Sequence, residues 1–241
     1  MSEPFLQVRG AVKRFGGLTA VNDVSFDVRR GEIVSIIGPN GAGKTTLFNL
    51  LTGQLKPTAG DVSLNGQVIN ALPPERRARL GLGRTFQIAK PLLTLTALEN
   101  AMVGSFLHHS RLHDAEAKAH QMLIEVGLDR RAHVRAAQLT LSERRRLEVA
   151  RALALEPSLM LLDEVMAGLN QSEVQDSIDL FRRLNGAGLT FLIIEHNLKV
   201  VRAFSERVIV IDRGAKIAEG TAEQILTNPE VVTAYLGRRR G

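Results

Sequence analysis

Residues 38–45 read Gly38-Pro39-Asn40-Gly41-Ala42-Gly43-Lys44-Thr45, and this octet decides the fold. It matches G-x-x-x-x-G-K-[ST] without a gap. Its glycines let successive backbone N–H groups turn inward as an anion nest and allow a phosphate to come close. A helix starting at Lys44 aims its positive dipole end at that anion. On this reading Lys44 reaches the β- and γ-phosphates of a nucleotide, the Thr45 hydroxyl holds Mg²⁺, and Thr46 completes the binding turn. The flanks agree. Residues 33–37 (IVSII) are apolar and β-branched, as a strand buried on both faces should be, and TTLFNLL follows at helical spacing. A chance match in a Gly-rich turn would not bring strand, octet and helix together in that order.

Phosphate chemistry needs a second element to hold metal and activate water. Residues 159–162 (LMLL) form an apolar strand that ends in Asp163-Glu164. Asp163 suits Mg²⁺, directly or through water, and Glu164 suits a general base toward the attacking water. Alone, such a strand is common. Together with a phosphate cradle it gains meaning.

Further outward, residues 5–37 read as short strands with turns at Gly16-Gly17 and Arg30-Gly31. Residues 61–64 and 67–69 flank Asn65-Gly66, a hairpin signal. From about 94 to 155 the texture is helical: Leu98, Met102 and Phe106 recur every fourth residue. Ala119, Met122, Leu123 and Val126 also fall at helical spacing, with Gly127 as the stop. Strand texture returns at 159–162, 190–194 and 208–211, with helical stretches between, and 222–226 is a short final helix. Strands alternating with helices imply an α/β fold with a mostly parallel sheet.

Composition narrows the function classes. The chain has 241 residues and no cysteine, which excludes a disulfide framework and Cys-based metal sites. No apolar run approaches the roughly 18 to 20 residues that span a bilayer. The start, MSEPFLQVRG, lacks the basic and apolar regions of a signal peptide, so a cytoplasmic location is expected. A net charge of +6 admits nucleic acid, an anionic membrane face or nucleotide. Basic residues are scattered, however, apart from 144–146 and 238–240, and aromatics are only 4%, leaving little for base stacking. A solvated basic surface explains the charge. His108, His109 and His113 lack a completing ligand set and read as a solvated helix.

These residues resemble the ATP-binding cassette family over nearly the whole chain. The resemblance implies an α/β P-loop NTPase (RecA-like) core with an antiparallel β-subdomain, covering 1–92 and 150–237. The α-helical subdomain would be an insertion at 93–149, followed by a basic tail at 238–241. It implies that Phe15, in VKRFGGLTAVNDVSF, stacks on adenine with Val21 nearby. Gln87, in RTFQ, matches the Q-loop glutamine that touches Mg²⁺ and relays motion to membrane subunits. His196, in LIIEHNLKVV, matches the switch histidine at the γ-phosphate, and Asn170 falls in the D-loop.

One segment departs from the family. The signature, usually LSGGQ, falls on Leu139-Thr140-Leu141-Ser142-Glu143. The family uses small residues there so that helix N-terminal N–H groups can approach the γ-phosphate on an opposite subunit. Here both glycines are gone, and Glu143 brings negative charge near phosphate, partly offset by Arg144, Arg145 and Arg146.

Residues 99–104 (ENAMVG), 161–170 (LLDEVMAGLN) and the ending IAEGTAEQILTNPEVVTAYLG resemble the ATPase subunits of branched-chain amino acid importers, where DEP is more usual than DEV. This resemblance implies ATP and Mg²⁺ as ligands and a peripheral place on the cytoplasmic face of the inner membrane. It also implies two permease subunits, a second ATPase cassette (non-identical, or a second copy) and an extracytoplasmic binding protein. Two alternatives stay open: a lipopolysaccharide-export cassette, and a soluble ABC ATPase acting on nucleic acid or ribosomes. No tandem cassette, coiled coil or zinc module supports the latter, and nucleic acid is not an expected partner.

Overall fold

The computed structural model describes residues 4–85 and 91–236. Its first half contains β1 (Leu6–Phe15), β2 (Leu18–Val28), β3 (Ile33–Ile37), α1 (Lys44–Thr52), β4 (Ala59–Leu64), β5 (Gln67–Val68), α2 (Pro74–Arg79), β6 (Leu82–Arg84), α3 (Ala97–Ser105) and α4 (Leu112–Glu125). The second half contains α5 (Leu141–Leu153), β7 (Leu159–Asp163), α6 (Gln171–Gly186), β8 (Thr190–Ile194), α7 (Leu198–Phe204), β9 (Arg207–Asp212), β10 (Ala215–Gly220), α8 (Ala222–Thr227) and α9 (Pro229–Leu236). Two units emerge: Met1–Arg77 with Thr190–Gly241, and Ala78–Leu189.

In the first unit, β1 and β2 are long strands rather than the short ones expected. Their register shifts between Val8 and Ala11 and at two further places, so each strand bends without ending. A bulge breaks the strict alternation and makes one strand read as two. β1 also pairs antiparallel with β4, and β4 turns into β5 through Asn65 (φ 53°) and Gly66 (φ 77°), a left-handed pair typical of a two-residue hairpin.

β3 is buried along its whole length and lies between β8 and β9, parallel to both, while β10 runs antiparallel to β9. Arg207 joins these strands: its guanidinium reaches both oxygens of Glu32, the Asp27 carbonyl and Glu219. Burial alone would raise the Glu32 carboxyl, but Arg207 and the Arg29 N–H pull it below the usual range. Below the strands, Ile37, Val208 and Val210 pack with Val201, Ala222, Ile225 and Val231. The last of these sits on α9, a helix the sequence reading missed. Its first residue is Pro229, a position where proline's fixed φ and absent N–H cost nothing.

In the second unit, β6 pairs parallel with β7. Helix α3 turns a face of small residues, Ala97, Ala101, Gly104 and Ser105, into the interior beside Leu98. A Cβ on Gly104 would overlap the Arg151 carbonyl oxygen of α5, so the two helices meet closely there. This corrects the expected stripe: Phe106 caps α3 and is 47% exposed. The histidines do not share a helix either. His109 precedes α4, with Nε2 2.6 Å from Glu156, and His113 lies beside Asp114. Among the described residues no cluster of His, Cys, Asp and Glu suits a metal, and no helix is long and apolar enough to cross a membrane.

Candidate active site

The octet forms the loop between β3 and α1, as its sequence requires. A Cβ on Gly38 would overlap the Ile211 carbonyl oxygen, and one on Gly43 (φ 102°) would overlap that of Ala20. Glycine is therefore demanded by close backbone approach as well as by φ. The Gly214 N–H donates to the Ala42 carbonyl at 2.8 Å, so the β9–β10 turn braces the loop from behind. Ala42 is buried, Pro39 is partly covered, and Asn40 and Gly41 are exposed. Lys44 is 7% exposed and folds over the loop, donating from Nζ to the carbonyls of Gly38 (2.7 Å) and Pro39 (3.0 Å). Thr45 is exposed and Thr46 partly so.

Helix α1 starts at Gly43 with no side-chain cap among the described residues and no acid in its first turn. The positive end of its dipole thus meets no capping side chain or acid of its own, which favours an anion there. The other end is tied down. Arg77, wholly buried, donates Nη1 to the carbonyls of Leu50 (2.6 Å) and Leu51 (2.7 Å) and Nε to Leu72 (2.9 Å). A cation on the last carbonyls complements the negative end of the dipole. Burial pushes the Arg77 guanidinium down to about 10. Sequence reading missed this residue, since nothing separates it from Arg76 and Arg79 in PERRAR.

His196 lies exposed two residues past β8. The register Ile36↔Ile194 puts it level with Gly38, at the C-terminal edge of the parallel strands where α/β ligands bind. Phe15, at the end of β1, is 46% exposed with Lys13 Nζ 5.1 Å from its ring centre, so it is no core residue. Val21 is 1% exposed, and its side chain serves packing. Of the two, Phe15 is the one whose side chain is open to a ligand.

In the second unit β7 is buried from end to end, and Asp163 closes it at 1% exposure. Arg84 Nη2 lies 3.1 Å from Asp163 Oδ2. Glu164 follows at φ 50°, a left-handed conformation rare outside glycine. Such strain persists where the surroundings enforce it, often at functional positions. Here the buried Val165 and Met166 pin the turn, and Arg145 Nη1 donates to the Glu164 carbonyl at 3.3 Å. Asn170 caps α6, accepting from the Glu173 N–H at 3.0 Å and the Ser172 hydroxyl at 2.7 Å. Thr45 in the first unit and Asp163 in the second each carry an oxygen donor of the kind a hard ion such as Mg²⁺ takes.

The departing segment has a structure of its own. Leu139 is buried, Leu141 is 55% exposed, and Thr140 caps α5 with Glu143 in a capping box. The Glu143 N–H donates to the Thr140 hydroxyl at 3.2 Å, and the Thr140 N–H donates to Glu143 Oε2 at 2.9 Å. Arg131 adds an ion pair at 3.0 Å. The Thr140 N–H, opposed by partial burial and aided by the Thr140 hydroxyl and Arg131, holds the Glu143 carboxyl below its usual range. Gln87 and the basic run 238–240 lie outside the described residues.

The family described as ABC transporter matches residues 21–167, and that described as branched-chain amino acid ATP-binding cassette transporter matches 215–240. The chain is 41% identical to the high-affinity branched-chain amino acid transport ATP-binding protein LivG of Salmonella typhimurium, covering 98% of this chain and 99% of that one. It is 42% identical to BraF of Pseudomonas aeruginosa, a protein of the same description, over 98% and 99%. Among solved structures it matches the ADP conformation of an ATP-binding cassette of an ABC transporter, with TM-score 0.89 and 32% identity over 98% of this chain and 100% of that one.

Proposed function

This chain belongs to the ABC transporter family of ATPases, and from that premise we propose that it powers import of branched-chain amino acids through two permease subunits. The observation that carries this reading is the ending at 215–240, matched separately from the catalytic region. Many cassettes share a phosphate cradle; fewer share that tail. The names of LivG and BraF support the same cargo class. In this reading the protein works peripherally on the cytoplasmic face of the membrane, beside a second cassette, and receives substrate indirectly from an extracytoplasmic binding protein.

The division of labour follows from the side chains. Lys44 leaves its carbonyl contacts for the β- and γ-phosphates, and the α1 N–H groups complete the anion nest. Phe15 stacks on the adenine. Thr45, Asp163 and Gln87 would hold Mg²⁺, which would neutralise phosphate charge when bound. Glu164 takes a proton from the attacking water as its oxygen bonds to the γ-phosphorus, and the bond to the bridging oxygen breaks to release ADP. His196 contacts the γ-phosphate and reports its loss. ATP drives the transport cycle only to the extent that it binds the closed dimer more tightly than the open one.

Replacing Glu164 with Gln is expected to lower turnover roughly 100- to 10,000-fold with ATP binding retained. Hydrolysis at the parent rate would remove Glu164 from the role. The cargo is tested by uptake of labelled leucine, isoleucine and valine in cells lacking this gene. Loss of uptake, restored by the parent gene and not by Glu164→Gln, is expected. Normal uptake of all three would overturn the cargo assignment.

A further inference from the structure

Arg84 and Thr85 stand directly before the Q-loop and have no part in the scheme above, yet both are fastened to the end of β7. Arg84 closes β6 in register with Leu161, two residues short of Asp163. By strand alternation Arg84, Leu161 and Asp163 share one face of the pair. The Arg84 side chain runs along that face to place Nη2 3.1 Å from Asp163 Oδ2. Past the strand end the Thr85 N–H donates to the Leu161 carbonyl at 2.9 Å, and the Asp163 N–H reaches Thr85 Oγ1 at 3.4 Å. Arginine thus holds the carboxylate, and threonine holds its backbone.

Both charged side chains are dry, at 9% and 2% exposure. A carboxylate withdrawn from water to this degree is stabilised by a cation beside it. A divalent ion approaching Asp163 alone meets the guanidinium already there, at a range where like charges in a buried site repel strongly. An ion carried by a triphosphate brings the negative charge that offsets this repulsion.

We propose that Arg84 is a positioning residue that occupies the metal's place at Asp163 until nucleotide arrives, so that Mg²⁺ enters only together with ATP. The proposal rests on the reading of Asp163 as a metal-side carboxylate.

The test uses the purified full-length protein without nucleotide, with Mn²⁺ as a paramagnetic probe and Mg²⁺ in thermal melts. The parent binds Mn²⁺ no tighter than millimolar and does not respond to Mg²⁺ alone. Arg84→Met binds Mn²⁺ about tenfold tighter or more, and its melting temperature rises with Mg²⁺ alone. Arg84→Lys, which keeps the charge, behaves as the parent. Adding Asp163→Asn to Arg84→Met removes the gained site, which a merely structural arginine would not predict. Arg84→Met binding Mn²⁺ no better than the parent overturns the proposal. So does micromolar, stoichiometric Mn²⁺ binding by the parent, a result that requires no variant to fold. Asp163→Asn alone separates the two ideas through its preference for MgATP over ATP in EDTA. If that preference survives, the metal reading of Asp163 fails and the proposal with it. If it disappears while Arg84→Met matches the parent, the role of Arg84 alone is wrong.

Discussion

Helices α1 and α5 begin with the same backbone feature and opposite dressing. At α1 the chain supplies a glycine, no capping side chain among the described residues and no acid, followed by Lys44 and Thr45. At α5 it supplies Thr140 and Glu143, which take the N–H groups of the cap residue and of the third helical residue and place a carboxylate in the first turn. A helix N-terminus attracts phosphate only while its N–H groups are unclaimed, because cap and phosphate compete for the same donors. Helices α3, α6 and α8 carry the same kind of box as α5. The start of α5 is thus capped like those of α3, α6 and α8, whereas α1 shows neither a side-chain cap nor a first-turn acid among the described residues. From this contrast we infer an anion site on this chain's own P-loop and a weaker contribution from residues 139–143, where Leu141 and Ser142 replace the family's glycines, to a partner's site.

The contrast can be broken at several points. The largest effect is expected at the fixed end of α1. Arg77→Met strips four carbonyls of their donor and should cost about 3 kcal/mol or more, read by urea unfolding. At the open end, Lys44→Ala should weaken ATP binding roughly 10- to 100-fold by calorimetry, while Glu143→Ala leaves that affinity unchanged. An equal loss from both would mean that α1 and α5 serve one site. At α5, Thr140→Ala should cost about 1 kcal/mol, a fall of about 2–4 °C in melting temperature for a chain of this size.

The cap also carries a pH signature. Because the folded Glu143 carboxyl lies below its ordinary value, its contribution is complete above about pH 4.3 and is lost as pH falls through the folded value. The penalty of Glu143→Ala, which removes the carboxylate that accepts from the Thr140 N–H, should therefore shrink in melts near the acid limit of stability, and a constant penalty would assign the cap to the Thr140 hydroxyl alone. The smallest effect sharpens the comparison. Glu143→Gln preserves the box and removes the charge, so stability should change by less than about 0.5 kcal/mol.

The octet was legible because everything it needs is local: strand, loop and helix are consecutive, and the glycines report their own backbone. The β4–β5 hairpin and the stop at Gly127 were legible for the same reason. Arg84 was not, since its partner is 79 residues away and no spacing rule links them. Arg77 was hidden among neighbouring arginines, and only burial distinguishes it. Phe106 was misplaced because helical spacing cannot reveal that α3 packs through Gly104 and its small neighbours. The Thr140-x-x-Glu143 box is readable as a pattern in its own right. Aligned on the family's glycines, the same residues register only as a loss.

The central claim, an open α1 beside a closed α5, is tested most directly by light scattering of the purified Glu164→Gln protein with and without MgATP. The account predicts a chain that binds ATP and remains monomeric, because α5 does not supply the complementary contact to a second copy. A clear ATP-dependent homodimer would contradict it, and would mean that residues 139–143 take a phosphate in spite of their cap.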